Sequence, residues 1–113
     1  MRWSADHPVR TDAALAPFAA GADELCPDAD VVEVLRHLPG RRVASLVTLA
    51  TGEHAVLKVF ASPRARGNHR RLELLARGAV GPIVPRSLGA DRAGHVCLVS
   101  HVAGVVYDRT DDA

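Results

Sequence analysis

Between Val43 and Ala61 two apolar runs, Val43 to Ala50 and His54 to Ala61, flank three turn residues, Thr51-Gly52-Glu53. No other feature restricts the fold so much. Segments this short and this close in sequence pair as antiparallel neighbours, and Gly52 supplies the positive φ that a tight reversal requires. A second pair has the same layout: Val84 to Ala90, a turn from Asp91 to Gly94, and His95 to Val102. Upstream, Val31 to His37 is ambiguous, because Val31, Val34, Leu35 and Leu38 also fit a helical stripe. Its three valines and the following Pro39-Gly40 favour a strand ending in a turn.

One helix is expected. Ser62 can cap it, Pro63 suits its first turn, and Gly78 can end it. Its core stripe is Leu72, Leu75, Ala76 and Ala79, which sets Glu73 on the flank of the buried side. Glu73 is the only acid there, among Arg64, Arg66, Arg70, Arg71 and Arg77. The expected architecture is therefore α+β, a five-stranded antiparallel sheet packed on one helix, in the order three strands, helix, two strands. Residues 29–107 form this domain, and residues 108–113 are a polar tail. Residues 1–28 are rich in Ala, Asp and Pro and read as a loosely packed leader. Its one weak helical stretch, Asp12 to Ala20, is broken by Pro17 and ended by Gly21.

Composition excludes several classes of function. With 113 residues and a net charge of +1, the chain can bury one modest core and carries no field that would recruit nucleic acid. The arginines of the expected helix read as a solvated face. No stretch approaches twenty apolar residues, so no membrane span is expected. Cys26 and Cys97 show no CxxC spacing, and the six histidines never reach ligand spacing on one helix, so neither a disulfide framework nor a metal site is expected. A reduced, cytoplasmic setting is the default.

Against that background Lys58 stands out. It is the only lysine among 14 basic residues, and it sits inside Ala55-Val56-Leu57-Lys58-Val59-Phe60. An ammonium is a compact point charge that can bridge phosphate oxygens, a task to which a planar guanidinium is less suited. Side chains at i and i−2 share a face of a strand, so Val56 and Lys58 look the same way.

A lysine on the third strand, with a glutamate in the only helix fifteen residues on, resembles the N-terminal lobe of the protein-kinase-like fold. More narrowly, it resembles the aminoglycoside phosphotransferase branch of small-molecule kinases. The resemblance runs over about residues 31–107. It rests on Leu35-Arg36-His37-Leu38-Pro39-Gly40-Arg41-Arg42 as first strand and phosphate loop, on the lysine strand, and on Leu72-Glu73-Leu74-Leu75. It continues through Val84-Pro85 and Gly94 to Val99, and ends at Ser100-His101-Val102-Ala103-Gly104, the usual exit toward a second lobe.

The resemblance implies ATP as the ligand. Val56 would cover the adenine, Lys58 would reach the phosphates with Glu73 holding it, and Gly40, Arg41 and Arg42 would add charge over them. The backbone of Ser100, His101 and Val102 would meet the adenine edge. The acid that orients the acceptor and the magnesium ligands belong to a second lobe, so magnesium is expected only with that lobe. The family is an ATP-dependent phosphotransferase, yet this sequence holds no His-Gly-Asp or similar loop, so it is expected to be truncated and inactive alone. Its implied partners are a nucleotide and either a C-terminal lobe or a second copy of itself.

Other readings remain open at this level. Lys58 could snorkel from an edge strand, Glu73 could pair with Arg70 or Arg77, and Pro39-Gly40-Arg41-Arg42 is a turn in any sheet protein. The alternative function is a non-enzymatic binding or regulatory module using the exposed lobe interface. A third is an ordinary small α+β protein in which Lys58 and Glu73 never meet.

Overall fold

The computed structural model describes residues 1–63 and 87–101. Five strands make one sheet: β1 (Asp30–Leu38), β2 (Arg42–Thr48), β3 (His54–Phe60), β4 (Ser87–Ala90) and β5 (Val96–Ser100). Their order is β1-β2-β3-β5-β4, and every neighbouring pair is antiparallel. The five-stranded antiparallel sheet is thus the expected one. The helix expected over Pro63–Gly78 lies outside the described residues but for Pro63 itself. So do Glu73, Val102, the Gly81-Pro82 break and the first residues of the Val84–Ala90 segment.

The β2–β3 hairpin forms as its sequence requires, with Thr48 opposite His54 and Gly52 at φ +88°. From Ala55 to Phe60 β3 is buried at every position, which explains why its sequence is an unbroken apolar run rather than an alternation. It is the middle strand, and both of its faces are covered. The reading of Lys58 as snorkelling from an edge strand is therefore wrong: Lys58 is central and 1% exposed.

The ambiguous segment is a strand, and β1 shows why it looked helical. The pairing with β2 slips between Val31 and Glu33 and again between Val34 and Arg36. Each bulge inserts one residue and breaks the two-residue alternation. Val32, Val34 and Leu35 consequently stay 53%, 40% and 41% exposed.

The largest departure from expectation lies in residues 1–28. They do not pack loosely. A short helix α1 (Pro8–Thr11), a 3-10 turn (Ala16–Phe18) and a second helix α2 (Ala19–Leu25) cross the sheet and bury Val9, Leu15 and Ala22. These meet Val43, Val47, Ala55, Leu57, Val59, Val96 and Leu98 in the main core. Pro17 sits in the first turn of the 3-10 element, and Gly21 ends nothing but lies inside α2. It is needed for a close approach: a Cβ there would stand 2.5 Å from Asp91 Oδ2 and 3.1 Å from Val96 Cγ2. The Asp91 carboxylate is not free to swing away, since its Oδ1 accepts from the backbone N–H of His95 and of Val96.

Candidate functional site

The sheet has two unlike faces. Val43, Ser45 and Val47 of β2, Ala55, Leu57 and Val59 of β3, and Val96 and Leu98 of β5 face the N-terminal segment. The alternate residues face the other way and form a second cluster of Ala44, Val56, Phe60, Cys97 and Val99, with Ala90 against it. Lys58 shares that face, because it stands two residues from both Val56 and Phe60. Its cross-strand neighbours are Ala44 on β2 and Cys97 on β5. Both are small, so the lysine stem is bulkier than either side chain flanking it. Burying an ammonium is costly unless it is paired. The partner expected from the sequence, Glu73, lies outside the described residues.

At the Phe60 end of β3 the same face opens into a cleft of about 220 Å³, lined by Gly40, Arg41, Arg42, Phe60, Ala61 and Ser62. Arg42 pairs with Phe60 in register, and the Ala61 N–H donates to the Arg41 carbonyl at 2.8 Å. The three residues expected at the phosphate loop are therefore brought together beside the lysine strand. Lys58 does not itself line the cleft, and lies two residues further in. Arg41 is exposed, whereas Arg42 is buried.

The Pro39-Gly40-Arg41 turn is closed by the Arg41 N–H donating to Leu38 O, and Gly40 sits at φ +72° with open space where a side chain would stand. Its backbone N–H is already engaged, donating to Asp12 Oδ2 at 2.7 Å. An anion in the cleft would meet arginine side chains rather than a free glycine amide. At the opposite end of the sheet β5 stops: Ser100, half-buried, pairs with Ala55 on the strap side, and His101 is exposed where the ladder ends.

Two polar clusters escaped sequence reasoning. In the first, His7 is buried, and its Nδ1 accepts from the Val9 N–H at 3.0 Å. That leaves the ring proton on Nε2, donated to Ser45 Oγ at 2.8 Å. Burial, with a smaller push from His37 and an opposing pull from Asp6, lowers the His7 pKa to about 4. In the second, Asp12 accepts from His37 Nε2 at 2.9 Å, from Gly40 and from the Ala14 N–H. The Gly40 N–H, and after it His37, hold its carboxyl below the usual carboxylate range. The one signal in the sequence was the aspartate two residues before Ala14, an Asx turn. Cys26 is buried, and burial pushes its thiol up to about 11, which leaves it unreactive.

Among the described residues no group of three or more His, Cys, Asp or Glu side chains could hold a metal ion, and no helix is long and apolar enough to cross a membrane. No family model matches the chain, and no curated protein or solved structure matches it either.

Proposed function

We propose that the Lys58 face binds ATP, as the nucleotide-binding lobe of a small-molecule kinase similar to the aminoglycoside phosphotransferases, without transferring the phosphoryl group by itself. One observation carries the reading: the residues stand in the order a nucleotide would need. From Val56, opposite Val99 and next to the exit of β5, the face runs to Lys58 and then to Phe60, opposite Arg42, at the cleft. Val56 to Phe60 spans roughly 13 Å at the rise of a strand. An apolar roof, a buried ammonium and an arginine-lined opening follow one another along that line.

In this reading Val56 packs on the adenine, and Lys58 sets its charge against the phosphates with Glu73 holding it. Arg41 and Arg42 meet the outermost phosphate at the cleft. The backbone of Ser100, His101 and Val102 borders the adenine edge, and magnesium would be held mainly by residues of a second lobe. A titration with ATP followed by amide NMR tests this. Shifts at Val56, Lys58 and residues 60–62, with His7 to Leu25 still, are the expected result. Shifts absent at Lys58, or confined to the N-terminal segment, would remove the proposal. ADP production by the purified chain would contradict the part that denies it catalysis.

A further inference from the structure

We propose that residues 7–25 form a pH-tuned strap over the sheet, in which His7 takes up the proton and Asp12 transmits the loosening to the β1–β2 turn. His7 is the group at the hinge of this strap. It caps the first turn of α1 with Nδ1 and pins the strap to β2 through Ser45 with Nε2. Both nitrogens are committed, one as acceptor and one as donor. A second proton can enter only at Nδ1, where it would point at the Val9 N–H and break the cap.

The surroundings offer that proton little. The Trp3 ring lies 4.7 Å from the imidazole, tilted by 54°, and the Trp3 indole N–H is itself buried without a partner among the described residues. Ser45 faces the ring from β2, and His37 on β1 opposes a positive charge on it. Asp6, the residue before His7, favours that charge and is the weaker influence. Protonation is therefore linked to undocking, and docking should weaken on the order of twentyfold between pH 7 and pH 5.

Asp12 makes the loosening matter elsewhere. It reaches from the strap to His37, just before the turn on β1, and to Gly40, inside the turn and at the wall of the cleft. Because its pKa is lowered, it stays ionised through that pH range, so the grip on Gly40 is lost by strap movement and not by its own titration. The inference stands apart from nucleotide binding and is read without any ligand.

Hydrogen exchange of backbone amides, corrected for the intrinsic effect of pH, tests it on the intact chain. From pH 7 to pH 5 the protection of Val9 and Gly40 should fall together by on the order of twentyfold, while Leu57 and Val59 in β3 hold theirs. In His7→Asn, which keeps a capping oxygen but cannot titrate, both should stay flat. An unchanged wild-type profile, the same fall in His7→Asn, or an equal fall in β3 would each overturn the proposal. Should His7→Asn fail to fold, the His7 ring titration in the wild type decides. A midpoint well below that of a free imidazole supports the strap, and an ordinary one near 6.5 overturns it.

Discussion

The two faces of the sheet bury their polar groups by opposite means. On the strap side His7 and Ser45 meet as a neutral pair, each satisfying the other, among aliphatic side chains and the rings of Trp3 and Phe18. On the far side a lysine lies buried among Ala44, Val56, Phe60, Cys97 and Val99. A neutral hydrogen-bonded pair costs a fold little, whereas a buried ammonium needs a partner to offset its desolvation. The difference teaches where to look for a ligand: the strap side buries neutral groups, and the lysine side buries a charge.

Breaking the strap side should produce the largest effect. Leu15 is fully buried between the strap and the sheet, so Leu15→Ala should cost about 2–5 kcal/mol. Urea unfolding measures this, and a loss well under 1 kcal/mol would mean that the strap is not part of the core. Acid should act on the same side. The folded pKa of His7, about 4, lies below the unfolded 6.5. Its contribution is fully present above pH 6.5 and is lost as pH falls through 4, amounting to about 3 kcal/mol. Denaturation midpoints compared across that range should show it in the wild type and not in His7→Asn.

A smaller effect sharpens the comparison at the strap's far end. Gly21→Ala gains helix propensity but drives a methyl into the fixed Asp91 carboxylate and Val96, for a net loss of about 1–2 kcal/mol. A stabilised variant would show that α2 does not approach the β4–β5 turn so closely. The least effect belongs to β1. Val32→Thr, at a bulge and 53% exposed, should change stability by less than about 0.5 kcal/mol.

How much of this was legible in the sequence differs by region. The β2–β3 hairpin could be read within two residues at each end, because Gly52 and its flanking runs carry their own turn chemistry. Lys58 could be singled out because it is the only one of its kind. β1 stayed ambiguous because its two bulges overwrite the period that distinguishes strand from helix. The strap was missed for a different reason. Val9, Leu15 and Ala22 are six and seven residues apart, with Pro and Gly between them, so no periodicity announces their burial. Gly21 looked like a helix stop because its role, room for Asp91, depends on a turn seventy residues away. At the cleft, Gly40 to Arg42 were found from the sequence, but not the aspartate that engages the Gly40 amide, since that contact joins two segments without a shared pattern.

The central claim is that Lys58 is buried on its face to meet phosphates. ATP affinity of the wild type, Lys58→Ala and Arg92→Ala, the last in the turn before β5, tests it most directly. A charge-assisted contact of about 1–3 kcal/mol makes Lys58→Ala roughly tenfold weaker or more, with Arg92→Ala unchanged. Equal affinity in the wild type and Lys58→Ala, with both folded, would contradict the account.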